Sequence, residues 1–204
     1  MAVDIFIARH GQDEDNAAGI LNGQRDKPLT ELGRQQARAL AESIVDAGLQ
    51  FEAIYTSPLK RAAETAEIVG EIIGLKTKPI IIAELIERDF GVMSGKPISS
   101  IEEICGDNII KSDMVTYFLD PEGAETFPEL MERGLVAIRK IRGRQASGKA
   151  LLVCHGDLGK MVYAAEAGKE WKDVLTDFHF GNAELIEITP NQDAHLVKLP
   201  QHNA

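Results

Sequence analysis

The sequence lacks long hydrophobic runs, paired cysteine motifs and low-complexity tracts. No apolar run approaches the roughly 20 residues that a membrane-spanning helix needs, so no membrane partner is expected. The two cysteines, Cys105 and Cys154, stand in apolar contexts without CxxC spacing, which favours buried free thiols in a reducing cytoplasm. The short apolar stretch over Met1–Ala8 has no basic leader, so we interpret it as a first strand and not as a signal peptide.

The sequence also has no excess of positive charge. The chain has 22 Lys and Arg against 32 Asp and Glu, a net charge of −10, which argues against nucleic acid as a partner because its phosphates attract a basic surface. A small anionic ligand stays open, since charges more than about 8–10 Å away are largely screened at cellular salt. A hydrophobic fraction of 44% excludes a disordered chain. Even composition without a linker predicts one domain over residues 1–204.

Strand-like runs and helical patterns alternate along the chain. This order predicts a mostly parallel sheet with helices on both faces. The expected fold class is therefore α/β, a three-layer α/β/α sandwich with a mostly parallel central sheet. The predicted strands are Val3–Ala8, Ala53–Thr56, Pro79–Ala83, Ala150–Cys154 and Glu184–Ile188.

Four helices follow these strands in the prediction. Thr30 and Ser57 are the expected N-caps of the first two, and Pro58 is expected at the first position of the second. Residues 126–129 fit a capping box at the start of the third. The fourth is expected to begin directly after His155.

Histidines, arginines and carboxylates come directly after the predicted strands. Because the carboxyl ends of parallel strands meet at one edge of a sheet, these residues are expected to converge. The set is Arg9, His10 and Gly11; Ser57 to Arg61; Glu84 to Arg88; and His155 with Gly156. Arg61 falls in a first helical turn, where a cation opposes the helix dipole, so an anion nearby would account for it.

These residue types suit phosphoryl transfer. Arginine side chains and the helix N-termini after Ser57 and His155 match phosphate oxygens. A neutral imidazole can attack phosphorus and form a phosphohistidine, and a carboxylic acid can protonate the leaving oxygen and then activate water. A second, cationic histidine can stabilise charge on the transferring group. Side chains supply the positive charge, so no metal ion and no other cofactor is expected.

Several motifs, in order, resemble those of the histidine phosphatase superfamily, also called phosphoglycerate mutase-like. An ordered set is far more specific than one tripeptide. The matching segments, between about residues 3 and 188, are Arg9-His10-Gly11 with Asn16; Gly23 to Gly33; Ser57 to Ala66; Leu85 to Arg88 with Gly91 and Gly95; Gly123 to Thr126; and Cys154-His155-Gly156. Two positions depart from the family pattern: Gln12-Asp13, where many members carry Glu-Thr, and Lys160, where arginine is common.

The resemblance implies a role for each matched residue. It makes His10 the nucleophile, Glu87 the acid and base, and His155 the second catalytic histidine. Glu84 lies in the same loop as Glu87, and spacing alone does not choose between the two carboxylates. Phosphate or substrate contacts are implied for Arg9, Gly11, Asn16, Gly23, Arg61, Arg88 and Gly156.

The remaining polar residues are not assigned a catalytic role. Arg88 either contacts substrate or balances nearby carboxylates. The segment Asp13-Glu14-Asp15 is expected to be a solvated face near the pocket rim. Three further histidines match no motif and are expected on the surface or in the core: His179, His195 and His202.

The expected activity is hydrolysis of a small phosphomonoester metabolite through a phosphohistidine. A cofactor-dependent phosphoglycerate mutase would share every catalytic residue; a protein-phosphohistidine phosphatase and a non-catalytic phospho-ligand binding module are further alternatives. Hydrolysis is favoured because the span from Gly91 to Gly123 and the tail after Ile188 are short, whereas a mutase must keep water from its phosphohistidine. Self-association into a homo-oligomer stays open.

Overall fold

A six-stranded sheet forms the middle layer of the part of the chain that the computed structural model describes, residues 3–190 and 192–197. Helices cover both of its faces, and a separate two-stranded hairpin lies outside it. The strands are β1 (Asp4–Arg9), β2 (Ala53–Thr56), β3 (Ile80–Ile81), β4 (Ile109–Lys111), β5 (Thr116–Phe118), β6 (Lys149–Cys154), β7 (Leu185–Ile188) and β8 (His195–Leu196). The helices are α1 (Glu14–Ala18), α2 (Glu31–Asp46), α3 (Lys60–Ile72), α4 (Ile101–Cys105), α5 (Phe127–Arg144), α6 (Gly156–Ala167) and α7 (Trp171–Asp177).

The strand order of the sheet is β3-β2-β6-β1-β7-β8. The pairs β3–β2, β2–β6 and β6–β1 are parallel, whereas β7 and β8 are added antiparallel at one side. The expected α/β/α fold with a mostly parallel sheet is confirmed. The register of β1 on β6 pairs Arg9 with Cys154, so the chain leaves both strands at the same height.

The side chains of β1 show why helices cover both faces. Ile5 and Ile7 point to one face and belong to the cluster that packs against α5 and α6. Phe6 and Ala8 point to the other face, into the cluster formed with α2 and α3. All four are buried, because successive side chains of a strand alternate between the two faces of the sheet. Two helix layers are therefore needed to remove this strand from water.

The start of α3 differs from the prediction. Helix α3 begins at Lys60 with Leu59 as N-cap, so Ser57 is not the cap and Pro58 is not its first residue. The Ser57 hydroxyl instead accepts from the Leu59 N–H and meets the His155 ring. The Lys60 N–H donates to the Asp26 carboxylate at 2.7 Å. The end of the helix that we expected to bind an anion is thus already capped by a carboxylate of the chain.

Several short elements were not predicted. They include α1, α4, α7, the β4–β5 hairpin and β8, whose lengths are too small for a clear period of apolar residues. Strand β3 is only two residues long, because the chain turns into a single 3₁₀ turn at Ala83–Leu85. Among the described residues no helix is both long and apolar enough to cross a membrane. His202 lies outside the described residues.

The predicted capping box is confirmed at α5. The Glu129 N–H donates to the Thr126 hydroxyl, and the Glu129 carboxylate accepts from the Thr126 N–H at 2.9 Å. We expect Thr126→Ala to lower the free energy of unfolding by about 1 kcal/mol, because it leaves an N-terminal N–H of the helix unsatisfied. Urea denaturation of this variant would measure the loss.

The control substitutions use the same chemistry. Thr126→Ser keeps the hydroxyl acceptor and should retain most of the stability. Thr176→Ala removes a hydroxyl that bonds back to carbonyls of its own helix, α7, and should cost nothing measurable. Equal stability of Thr126→Ala and the wild type would show that the capping box contributes nothing.

Candidate functional site

Two histidines stand side by side where β1 and β6 end. The backbone N–H of His10 donates to the Cys154 carbonyl at 3.0 Å, which continues the parallel pairing one step past the strands. The centroids of the His10 and His155 rings are 5.1 Å apart, and both side chains are buried. The expected convergence of these two residues follows directly from the register of the neighbouring parallel strands.

The Arg61 guanidinium lies between the two imidazole rings. Its Nε is 3.1 Å from His10 Nε2 and 3.3 Å from His155 Nδ1. Its two terminal nitrogens each donate at 2.7 Å to backbone carbonyls, those of Gly23 and Arg25. Arg61 comes from the first turn of α3 and is fully buried. Its position is therefore fixed at both ends, and it presents one N–H to both histidines.

The hydrogen bonds define which ring nitrogens carry protons. His10 Nδ1 lies 2.6 Å from the Gly11 carbonyl, which only accepts, so Nδ1 holds the proton and Nε2 holds a lone pair. His155 Nδ1 faces the Arg61 N–H donor and therefore holds a lone pair. The proton of His155 is then on Nε2, which lies 2.8 Å from the Ser57 hydroxyl. Both rings are assigned as neutral from this network.

Burial and positive neighbours keep both rings neutral. Burial, then the charges of Arg61 and Arg9, lower the pKa of His10 well below that of an ordinary histidine. The pKa of His155 is lowered in the same way by burial, Arg61, the His10 ring and Arg9. A neutral imidazole is the nucleophilic form, so the environment favours attack by the His10 Nε2 lone pair.

Arg9 carries an unused donor in the pocket. Its Nε is buried and has no hydrogen-bond partner among the residues that the structure describes. The guanidinium passes over Gly156, where a Cβ atom would lie only 3.7 Å from it. A buried guanidinium N–H without an acceptor is costly unless a ligand supplies one. This orphan donor indicates an anion-binding position beside the two histidines.

Glu87 lines the same pocket as Arg9, and its carboxylate lies at the N-terminus of α6. Its carboxylate accepts from the N–H groups of Arg88 at 2.9 Å, Leu158 at 3.1 Å and Asp157 at 3.3 Å. Burial, together with the Asp157 charge, raises the pKa of Glu87 despite these donors. The carboxyl group is therefore closer to its protonated form than an exposed glutamate would be. The N–H groups at the N-terminus of α6 therefore donate to the Glu87 carboxylate, just as the Lys60 N–H at the start of α3 donates to Asp26.

Glu84, the competing carboxylate, points elsewhere. Its carboxylate pairs with Lys140 at 2.5 Å and does not line the pocket. The loop that separates the two glutamates is held by Arg133, which donates to the carbonyls of Glu84, Ile86 and Glu87. This arrangement sends Glu87 into the pocket and Glu84 out of it.

Arg88 is fully engaged by the protein itself. Its Nε pairs with Asp157 at 2.9 Å, and Nη1 donates to the Phe118 carbonyl at 3.1 Å. The guanidinium also lies over the rings of Phe118 and Phe127, at 4.3 and 4.2 Å from their centroids. It is 1% exposed. Of the two interpretations left open for Arg88, the geometry favours the structural one.

The acidic segment after the first histidine is not a solvated face, so that expectation is wrong for two of its three residues. Asp13 is fully buried and lies 3.2 Å from Arg61 Nε. Asp15 is buried and pairs with Arg25 at 2.7 Å. Only Glu14 is exposed. Sequence reasoning missed the pairing because Asp13 and Arg61 are separated by two helices and a strand.

Two of the matched glycines and two asparagines lie close to the histidines, the arginines or the pocket. A Cβ on Gly11 would lie 2.2 Å from the Gly33 carbonyl oxygen, so only glycine permits this close approach. Gly23 has φ of +47°, which lets its carbonyl face Arg61. Asn16 lines the pocket. Asn182, which no motif indicated, donates to the His10 carbonyl at 2.8 Å.

The pocket has a volume of about 210 Å³ and combines charged and apolar walls. Arg9, Glu87 and Lys160 line its inner end, and the exposed side chains of Ile98 and His179 stand at its rim. His179 was expected to be an ordinary surface or core residue, and no sequence signal marked it. Among the described residues, no group of three His, Cys, Asp or Glu side chains is placed to hold a metal ion.

This geometry defines a class of site: a neutral, buried imidazole beside a buried arginine donor, Arg9 Nε, that lacks an acceptor, with a carboxyl group of raised pKa lining the same pocket as Arg9. Comparison with known proteins agrees with it. The model of the histidine phosphatase superfamily (branch 1) matches residues 5–202. The chain therefore belongs to the histidine phosphatase superfamily, which confirms the family expected from the motifs.

Individual relatives include both mutases and phosphatases. The chain is 36% identical over 156 residues to a 2,3-bisphosphoglycerate-dependent phosphoglycerate mutase of Parvibaculum lavamentivorans, covering 75% of this chain and 74% of that protein. It is 33% identical to the uncharacterized phosphatase PhoE of Bacillus subtilis, covering 74% and 71%. The solved structure of Bacillus stearothermophilus YhfR superposes with a TM-score of 0.79 at 27% identity, covering 96% of each chain.

The orphan Arg9 donor leads to a binding prediction that does not depend on catalysis. Inorganic phosphate should raise the melting temperature of the protein, because a ligand of the native state stabilises it. Arg9→Met should weaken phosphate binding by roughly tenfold or more, since a charge-assisted hydrogen bond contributes about 1.5–3 kcal/mol. Thermal unfolding across a phosphate series would measure both effects.

Arg38→Met provides the matched control. Arg38 is an exposed arginine of α2, so its loss removes the same charge without touching the pocket. This variant should keep the wild-type response to phosphate. A phosphate response that survives Arg9→Met unchanged would contradict the assignment of Arg9 as an anion ligand.

Proposed function

We propose that this protein hydrolyses a small phosphomonoester through a phosphohistidine on His10. The observation that carries the proposal is the lone pair of His10 Nε2, held toward Arg61 while the proton sits on Nδ1 against the Gly11 carbonyl. In the proposed scheme Arg9, Arg61 and His155 bind the phosphoryl oxygens, and Asn16 with the backbone at Gly11, Gly23 and Gly156 shapes their surroundings. Arg88 supports the pocket wall and does not touch substrate.

The first step forms one bond and breaks another. His10 Nε2 attacks phosphorus, and the bond between phosphorus and the leaving oxygen breaks. Glu87, whose protonated form is favoured because burial raises its pKa, gives its proton to that oxygen and the alcohol departs. Arg61 and Arg9 offset the charge on the phosphoryl oxygens.

The second step returns the site to its starting state. The Glu87 carboxylate now takes a proton from water, the water oxygen attacks phosphorus, and the bond between His10 and phosphorus breaks. Phosphate leaves, and His10 Nε2 regains its lone pair. The positive charge that the scheme needs comes from side chains, so we propose that the reaction is independent of metal ions.

A phosphoglycerate mutase is the second candidate, because a mutase from Parvibaculum lavamentivorans is among the relatives. Hydrolysis is supported by the open rim of the pocket, where Ile98 and His179 are exposed and water can enter. A mutase keeps water from its phosphohistidine. Rapid isomerisation of a phosphoglycerate after priming with a bisphosphoglycerate, with little phosphate released, would reverse the ranking.

We also propose that the enzyme is a single-domain cytoplasmic protein. A single domain is supported by the central sheet, which joins β1 to strands from the far end of the sequence. A cytoplasmic location is supported by two free cysteines, Cys154 buried and Cys105 half-buried.

We expect His10→Ala to abolish turnover, because the variant has no nitrogen to accept the phosphoryl group. Denaturing the wild type during turnover of a ³²P-labelled phosphomonoester should trap an acid-labile label on the protein. The variant should trap none. Circular dichroism of the variant checks that the fold is retained.

Two results would contradict this scheme. One is a trapped label of equal size in His10→Ala. The other is strict dependence on added Mg²⁺ in assays that contain EDTA, because the arginines would then not suffice to offset the phosphoryl charge.

The leaving group should reveal the role of Glu87. Glu87→Gln should slow hydrolysis of an alkyl phosphate by about 10²–10⁴-fold, the usual contribution of a positioned acid. The kcat/KM of the variant for p-nitrophenyl phosphate, which reports the first step, should fall much less, because that phenolate departs without a proton; kcat should fall for both substrates, because Glu87 is also the base of the second step. The wild-type kcat/KM for the alkyl ester should fall as pH rises through the raised pKa of Glu87, and the variant should lose this alkaline limb.

Glu84→Gln is the matched control from the same loop. Its carboxylate pairs with Lys140 away from the pocket, so both substrates should react near the wild-type rate. If Glu84→Gln shows the loss that depends on the leaving group and Glu87→Gln does not, the two assignments must be exchanged.

A further inference from the structure

Lys160 is a buried amine that the proposed reaction does not use. It lies in the second turn of α6, is 3% exposed and lines the pocket. Its ammonium group hydrogen-bonds the Tyr117 hydroxyl and lies 4.8 Å from the centroid of that ring. None of the ion pairs among the described residues includes Lys160, and the nearby Asp157 pairs with Arg88. A buried cation without an ionic partner is costly, and it is tolerated where a ligand supplies the missing charge.

The position of Lys160 relates to the leaving group and not to the phosphoryl group. The charges that act on Lys160 are those of Asp157, Arg9 and Glu87. Lys160 and Glu87 both line the pocket, whereas His10, Arg61 and His155 are not among the residues that line it. Because Glu87 protonates the leaving oxygen in the proposed scheme, the pocket beyond Glu87 receives the rest of the alcohol. Lys160 faces that region.

The surroundings limit how much negative charge the region accepts. Asp157 lies close enough to influence Lys160, and Glu87 carries its proton when substrate binds, so a second phosphate dianion would meet the Asp157 carboxylate with only the one ammonium to balance it. A single carboxylate would balance the one ammonium charge. The outer wall of the same pocket is apolar and suits a hydrocarbon body between the two ends of the substrate; it is formed by Ile20, Leu21, Phe90, Ile98 and Val115.

We infer that Lys160 is a specificity-determining residue that pairs with a carboxylate on the leaving group of the substrate. The inference rests on the proposed function, because it assumes that Glu87 marks the side from which the alcohol leaves. It narrows the substrate class to phosphomonoesters whose alcohol also carries an acid group.

The test compares two substrates that differ by one charge. Meta-carboxyphenyl phosphate and meta-carbamoylphenyl phosphate have nearly the same shape and a similar leaving group. The wild type should prefer the carboxylate by kcat/KM. Lys160→Met should lower kcat/KM for the carboxylate by about 10- to 100-fold, as expected for the loss of a charge-assisted hydrogen bond, and should leave the carbamoyl substrate nearly unchanged.

Two further variants separate charge from structure. Lys160→Arg keeps the positive charge and should retain the preference for the carboxylate. Lys169→Met removes the same charge just beyond the C-terminal end of α6, where Lys169 pairs with Asp193 on the surface, and should behave as the wild type. Equal losses on both substrates in Lys160→Met would show a structural role and overturn the inference.

The wild type offers a second test that needs no variant. The groups facing Lys160 are Asp157, Arg9, Glu87, Tyr117 and His179. Burial lowers the pKa of Lys160 to about 8, whereas burial raises the pKa of Tyr117. The kcat/KM preference for the carboxylate should therefore decline as pH rises through about 8, where the free enzyme loses the ammonium charge.

The outcomes distinguish this inference from the proposed function. Hydrolysis of both aryl phosphates without a preference, or a preference that is constant from pH 6 to about 10, overturns the role of Lys160 and leaves the phosphatase intact. Absence of hydrolysis of any phosphomonoester, including p-nitrophenyl phosphate, overturns the proposed function, and the inference fails with it.

Discussion

The Arg61 guanidinium is the interaction on which the site depends. It is fully buried, its terminal nitrogens are tied to two backbone carbonyls, and its Nε faces both histidines and Asp13. A cation in this position requires the rings to offer lone pairs, which favours the observed tautomers, and after burial its charge is the next cause of their lowered pKa values. One buried side chain thereby bridges the histidines of two strand ends, orients the proposed nucleophile and supplies positive charge for an anion.

Burial acts in opposite directions on the two kinds of titratable group in the pocket. It disfavours the charged form of each, so it lowers the pKa of His10 and raises that of Glu87. Nucleophilic attack needs the neutral imidazole, and protonation of a leaving oxygen needs the neutral carboxylic acid. Burial thus favours the reactive form of both His10 and Glu87, as in other sites where the environment assigns acid and base roles.

The pocket walls are held by a network that touches no ligand in the proposed scheme. Arg133 pairs with Glu125 and ties down three carbonyls of the loop that carries Glu87. Arg88 joins Asp157 to carbonyls next to β5 and lies over Phe118. These contacts fix the position of Glu87 without closing the rim of the pocket. The acid can therefore be held in place while the alcohol still leaves through the rim.

The sequence by itself determined the sandwich, the long helices, the capping box at Thr126 and the family, because period, caps and ordered motifs are local signals. It also placed His10 and His155 after strands whose ends were expected to meet at one edge of the sheet. Only the tertiary structure decided which glutamate enters the pocket, that Asp13 is buried against Arg61, that Arg88 is engaged by the protein, and that Asn182 supports His10. The physical reason is that these pairs are distant in the chain, and burial and hydrogen bonding exist only after the layers have packed.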